Sequence, residues 1–174
     1  MKKLIEMGLS LGSNIGDRLA NLRSACEDLN RYEGITVVAK SRIYETEPVG
    51  VADKYQDAVY YNAFVVIETV LSPSSLLDVT KNLEKNYGRD LCPEKNSPRP
   101  LDIDIIYVGD LTFNTDKVKV PHERWNERRF VVQPLVDVRP DVIIPGQIET
   151  AEQILSKLPE EPYVRYAAET ADKF

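Results

Sequence analysis

Within residues 99–106, Arg99-Pro100-Leu101-Asp102-Ile103-Asp104-Ile105-Ile106, positions 101–105 alternate apolar and acidic side chains with a period of two. That period marks a strand, in which successive side chains point to opposite faces. Leu101, Ile103 and Ile105 take one face, toward a core, and Asp102 and Asp104 share the other, one pleat repeat apart. Upstream, residues 4–11 alternate in the same way, with Ile5, Met7, Leu9 and Leu11 on one face. Residues 17–32 switch to helical spacing through Leu19, Leu22, Cys26 and Leu29. Residues 35–44 and 60–70 read as strands, with a Pro- and Gly-bearing loop over 45–57 between them. Ser72-Pro73 opens a second helix whose stripe is Leu76, Leu77, Thr80, Leu83 and Tyr87, and Gly88 ends it. Residues 89–100 form a polar, Pro-rich loop, and 103–108 complete the strand. The order β-α-β-β-α-β predicts an α+β, ferredoxin-like fold: an antiparallel sheet with two helices on one face. C-terminal additions follow, namely a short strand at 118–120, a helix near 123–130 and a helix at 151–158.

Length and charge narrow the function. The 174 residues are expected to form a single domain, 1–174, large enough to build a core without staples. A formal charge of −6 argues against a general nucleic-acid binder, which needs a basic face. No apolar run reaches the ~20 residues of a membrane span, and the N-terminus reads as a strand interrupted by Glu6 rather than a signal peptide. Cys26 and Cys92 are the only cysteines and His122 the only histidine, which excludes a disulfide framework, a Cys-based zinc site and any His-pair mechanism. The expected setting is the cytoplasm.

Two carboxylates held side by side on a strand repel each other unless a cation sits between them. Hard oxygen donors point to Mg²⁺, which takes one or two carboxylates and leaves its remaining positions to substrate phosphates. The competing reading is the solvated polar face of an edge strand. Cations flank the pair: Arg89, Lys95 and Arg99 precede it, and Lys117, Lys119, Arg124, Arg128 and Arg129 follow. Residues 81–99 and 117–129 hold 10 of the 22 basic residues and only 5 of the 28 acidic ones. Metal plus guanidinium is the combination phosphoryl-type transfer requires. The loop Gly12-Ser13-Asn14-Ile15-Gly16-Asp17 lacks the lysine and hydroxyl of a P-loop and reads as a tight strand-to-helix turn. Asn62 offers a donor and an acceptor for the edge of a heterocycle, beside Tyr60, and Phe130 offers a stacking face. These residues alone leave open another Mg-dependent phosphoryl or nucleotidyl transferase, or a non-catalytic ligand-binding domain.

Several blocks together narrow the choice: LSLGSNIGDR, SRIYETEPVG, YYNAFVVIET, LEKNYGRD, PRPLDIDIIYVGD, VPHERWNERRFVVQPL and RPDVIIPG. In this order the chain resembles the 6-hydroxymethyl-7,8-dihydropterin pyrophosphokinases of folate biosynthesis. The resemblance implies transfer of the pyrophosphoryl group of ATP to the hydroxymethyl oxygen of a reduced pterin, with release of AMP. It implies that Asp102 and Asp104 bind two Mg²⁺ ions and that Arg89 and Arg99 act on the transferring group. Thr46, Val49, Tyr60, Asn62 and Phe130 fall at pterin positions. Glu84, Lys117, His122 and Arg128 fall on the nucleotide side. Asn96-Ser97 stand where the family usually carries an aromatic residue and a glycine. ATP and the pterin are the expected partners, a monomer is the expected state, and the length is expected to leave no room for a second fused folate enzyme.

Overall fold

Hydrogen-bonded pairing of alternating strands governs the architecture of the computed structural model, which describes residues 3–49, 55, 57–88, 97–167 and 174. The elements in order are β1 (Ile5–Ser13), α1 (Arg18–Arg31), β2 (Ile35–Lys40), β3 (Tyr44–Thr46), β4 (Tyr60–Thr69) and α2 (Pro73–Asn86). There follow β5 (Asp102–Val108), β6 (Phe113–Asn114), β7 (Lys119–Val120), a 3-10 turn (Trp125–Glu127), α3 (Arg129–Val138), α4 (Ala151–Lys157) and β8 (Val164–Tyr166). The main sheet runs β5-β1-β4-β3-β8, with β2 also on β4, and its pairings are antiparallel. This is the ferredoxin-like core read from the sequence, with β8 added at one edge.

Local chemistry sets the helix ends. The Asp17 carboxylate accepts the Ala20 amide at 3.0 Å and caps α1. Ser72 caps α2 by accepting the Ser75 amide at 3.1 Å, with Pro73 in the first turn. Gly88, at φ +92°, takes the left-handed turn that stops α2. Thr150 and Gln153 cap α4 reciprocally.

The sheet is covered on both faces, which differs from the two-helix, one-face expectation. On the first face Met7, Leu9 and Leu11 of β1 and Ile103 and Ile105 of β5 pack with Leu22, Cys26 and Leu29 of α1 and Leu76 and Val79 of α2. On the second, Phe64 and Val66 of β4 and Ile106 and Tyr107 of β5 meet Trp125, Val131, Val132 and Leu135, with Ile154 of α4. The helix expected near 123–130 is a 3-10 turn, because Arg128 is extended (φ −110°, ψ 99°) and breaks the run before α3 begins. Pro134 sits inside α3, where it removes only the bond that would reach the Phe130 carbonyl in the helix's first turn.

The strand expected over 35–44 is two strands. The register shifts between Val37 and Ala39, and Ser41 takes over the ladder: its Oγ accepts the Phe64 amide at 2.8 Å and donates to the Arg42 carbonyl at 2.6 Å. Glu45 and Thr46, read as loop, belong to β3 and pair with Tyr61 and Tyr60.

In β5 a bulge places Ile106 as an extra residue. Leu9 pairs with Ile105 and Gly8 with Tyr107, so Ile106 and Tyr107 both face the second core. Gly8 makes room for the Tyr107 ring: a Cβ there would lie 2.2 Å from Tyr107 Cε1 and 2.8 Å from Phe64 Cε1. The Tyr107 hydroxyl donates to Glu6 Oε1 at 2.7 Å, and Arg139 donates to Glu6 Oε2 from Nη2 at 2.8 Å. Burial pushes the Glu6 carboxyl up, but the hydrogen bonds from Arg139 and Tyr107 outweigh it and hold the group below its usual value.

Gly8→Ala is expected to overpack the second core and lower stability by about 1–3 kcal/mol in denaturant melts. Glu6→Gln is expected to lower stability at neutral pH by about 1–2 kcal/mol, a figure for loss of charge-assisted bonds at a partly exposed site. A depressed carboxyl stabilises the fold above its unfolded pKa and stops doing so as pH falls through the folded value. The wild type is therefore expected to lose stability on acidification below about pH 4.5 more steeply than Glu6→Gln, read from urea midpoints across that range.

Candidate active site

The second face of the sheet is packed at one end and open at the other. The open end is a cavity of about 550 Å³. Strand alternation builds its floor, because the residues between those of the first core project into it. They are Ser10 and Gly12 of β1, Tyr60 and Asn62 of β4, and Asp102 and Asp104 of β5. Gly12 pairs with Asp102 on one side and Asn62 on the other. Asp102, Gly12 and Asn62 thus form one row across three adjacent strands, with the carboxylate and the amide two strand spacings apart, roughly 10 Å. The central position carries no side chain, and a Cβ on Gly12 would come 3.0 Å from Asn62 Oδ1.

Each end of the row has its own chemistry. Asn62 is buried, and its Nδ2 donates to Thr46 Oγ1 at 2.7 Å, which fixes the orientation of the amide. Burial pushes the Tyr60 phenol up. At the other end, burial and then the charge of Asp102 push the Asp104 carboxyl up to about 6. Arg99 Nη1 donates to Asp102 Oδ1 at 3.2 Å. Above the floor, the Arg128 guanidinium carbon lies 5.8 Å from the centre of the Phe130 ring, and both residues line the cavity. The cavity is thus acidic at one end, amide- and aromatic-lined at the other, and roofed by arginines.

Eleven of the residues singled out in the sequence line this cavity: Thr46, Val49, Tyr60, Asn62, Arg99, Asp102, Asp104, Arg124, Arg128, Arg129 and Phe130. Arg89, Lys95 and Asn96 lie outside the described residues. Glu84 does not line it. Its carboxylate is buried beneath β5, where Oε1 accepts the Ile103 amide at 2.8 Å and Lys81 Nζ holds both oxygens. Lys117 is exposed between β6 and β7, away from the lining. His122 stands just outside, with its amide bonded to the Ile106 carbonyl at 3.0 Å and its Nδ1 accepting the Arg124 amide at 3.3 Å. Burial, then Arg128, holds its imidazole below the usual value. The basic flank is partly paired: Lys119 with Glu123 away from the lining and, at the cavity, Arg124 with Glu127, while Arg129 donates to the Leu158 carbonyl.

Sequence reasoning missed Ser10, Gly12, Glu47, Glu127 and the wall Pro162, Tyr163 and Val164. Strand alternation in β1 carried a signal for the first two. The last three arrive through β8, whose Val164 pairs with Thr46, while the Tyr163 amide donates to Glu47 Oε2 at 3.1 Å. In the GSNIGD segment Gly12 and Ser13 end β1, and the residues from Asn14 to the cap Asp17 make the strand-to-helix turn.

Known proteins share this chain's sequence and fold. It is 43% identical over 133 residues to the folate synthesis bifunctional protein of Arabidopsis thaliana, covering 76% of this chain and 27% of that protein. It is 41% identical over 150 residues to the 2-amino-4-hydroxy-6-hydroxymethyldihydropteridine pyrophosphokinase of Methylorubrum extorquens, covering 86% of this chain and 91% of that protein. The chain thus spans about a quarter of the length of the bifunctional plant relatives it matches and nearly all of the bacterial one. Its fold matches a crystal structure of Plasmodium falciparum HPPK-DHPS with a TM-score of 0.70 at 18% identity, covering 90% of this chain and 42% of that one. A family model for 7,8-dihydro-6-hydroxymethylpterin-pyrophosphokinase (HPPK) matches residues 8–140. The chain belongs to the 7,8-dihydro-6-hydroxymethylpterin-pyrophosphokinase family.

Proposed function

We propose that this chain transfers the pyrophosphoryl group of ATP to 6-hydroxymethyl-7,8-dihydropterin, giving AMP and the pterin pyrophosphate in folate biosynthesis. The observation that carries the reading is the single row Asp102–Gly12–Asn62, which offers an acidic site and a heterocycle-reading amide at the two ends of one cavity. In the reaction the hydroxymethyl oxygen forms a bond to the β-phosphorus, the bond from that phosphorus to the α,β-bridging oxygen breaks, and the hydroxyl proton is released. The substrate oxygen is itself the nucleophile, so the protein's task is to position and to balance charge.

The donor set suits Mg²⁺. Among the described residues no group of three or more His, Cys, Asp or Glu side chains gathers to hold a metal, so Asp102 and Asp104 leave coordination positions for phosphate and water oxygens. The raised Asp104 carboxyl is the electrostatic mark of a crowded carboxylate pair that a divalent cation would relieve. Two ions are expected, and Mg²⁺ held by these carboxylates would draw charge from the phosphate oxygens. Arg99 stands over Asp102, placed to set its guanidinium against the transferring group. Asn62, locked by Thr46, presents a fixed edge to the pterin, and Tyr60 and Phe130 flank the ring. Arg128 serves the nucleotide. Glu84 serves the site from below, by holding the Ile103 amide between the two aspartates.

Among the described residues no helix is long and apolar enough to cross a membrane. Cys26 is a buried free thiol, in keeping with a cytoplasmic setting.

Purified protein given ATP, Mg²⁺ and the reduced hydroxymethylpterin is expected to form AMP. Formation of ADP would make it a different phosphoryl transferase, and binding without a nucleotide product would make it a ligand-binding domain. Asp102→Ala is expected to lower pterin-dependent AMP formation by about 10²–10³-fold, and unaltered activity would remove the metal assignment. Arg99→Ala is expected to cut kcat by a similar ~10²-fold while changing KM for ATP by less than about threefold; equal losses in both would reduce Arg99 to a ground-state anchor.

A further inference from the structure

The turn between β1 and α1 holds the backbone of Arg99. Asn14 Oδ1 accepts the Arg99 amide at 2.8 Å, and the Asn14 amide donates to the Arg99 carbonyl at 3.3 Å. One residue thus satisfies both backbone polar groups of another residue 85 positions away in sequence, in the manner of a one-residue strand bridge. The turn is itself braced from α1, where Asn21 Nδ2 donates to Ser13 Oγ and to the Ile15 carbonyl, each at 3.2 Å. Asn14 is buried at 8% exposure, and its Nδ2 has no hydrogen-bond partner among the described residues. Leaving a buried donor unpaired is unfavourable, so packing gives no reason for an amide here. The accepting oxygen gives one, since it aims the Arg99 peptide so that the guanidinium meets Asp102.

We propose that Asn14 is a positioning residue for Arg99: it fixes the height of the Arg99 backbone over the acidic pair, so that the guanidinium reaches the transferring phosphoryl group without a search over backbone conformations. The proposal rests on the reading of Arg99 given above. It assigns to Asn14 a role that needs no ligand contact and acts wholly through the arginine. The brace from α1 extends the same support, so Arg99 is referred to the rigid first layer of the fold.

Asn14→Ala is expected to speed hydrogen exchange at the Arg99 amide, read by NMR, while the amides of β1 and β4 keep their protection. It is expected to lower kcat about 10–100-fold, as small misplacements of a catalytic group do, and to shift KM for ATP by less than about threefold. Asn14→Asp retains the accepting oxygen and is expected to keep the Arg99 amide protected. In a double-mutant cycle, Asn14→Ala is expected to add less than about twofold to the loss caused by Arg99→Ala. If Arg99→Ala alone leaves kcat unchanged, the reading of Arg99 fails and the positioning role falls with it. If Arg99→Ala is slow but the two losses multiply, or the Arg99 amide keeps its protection in Asn14→Ala, the positioning role alone is overturned. Loss of protection throughout β1 would make Asn14 a structural residue and overturn it as well.

Discussion

The two-residue period of β1, β4 and β5 is the constraint on which the rest of the structure depends. Every second side chain of these strands enters the first core with α1 and α2, which fixes the register, because a slip of one residue would turn an apolar set toward the cavity. The intervening side chains are then free of any duty to that core. Toward one end they make the second core under α3, and toward the other they become Asp102, Gly12 and Asn62. The rigidity of the site is therefore borrowed from the hydrophobic packing behind it. A carboxylate pair on a loop would relax away from its own repulsion, whereas on β5 it cannot, since Leu101, Ile103 and Ile105 are buried on the reverse side.

Electrostatics act within that frame. Asp104 carries the burden of the pair, pushed up by burial and by Asp102. Arg99 meets Asp102 directly, while Lys81 and Arg128 act on Asp104 as favourable charges from opposite sides of the sheet. Glu84, a third carboxylate beneath the same strand, is satisfied by Lys81 and by the Ile103 amide rather than by a ligand. Its contribution is to hold the strand amide that lies between the aspartates. The acidic end of the site is thus a layered arrangement, with cations placed above and below two half-buried carboxylates.

What the sequence made legible was what neighbouring residues decide. Strand alternation around Asp102, the helical stripes, and the cap Ser72 are local chemistry, and each stands where the pattern put it. Of the second helical layer, α4 was legible and α3 was hidden, because Pro134 punctuates it. The three-residue strands β3 and β8 carry too little periodicity to announce themselves, since their existence depends on partners far along the chain. The site followed the same rule. Residues with distinctive chemistry were found by type, whereas Gly12, Ser10 and the wall at Pro162–Val164 contribute space, backbone or edge, which composition does not mark. Burial of Glu84 was equally hidden, because an acidic residue on a helix reads as solvated until the strand amide above it is known.

The bulge at Ile106 has a mechanical meaning. Its carbonyl leaves the ladder and accepts the His122 amide, so the segment carrying Arg124 and Arg128 hangs from the same strand, two residues beyond Asp104. Anion and cation halves of the cavity therefore share a common datum. Thermal displacement of β5 carries both together, so the gap between them is buffered against motion of the sheet, while each half is denied independent adjustment. A polyphosphate bridging the two halves would meet a span of fixed length, gauged by one peptide bond.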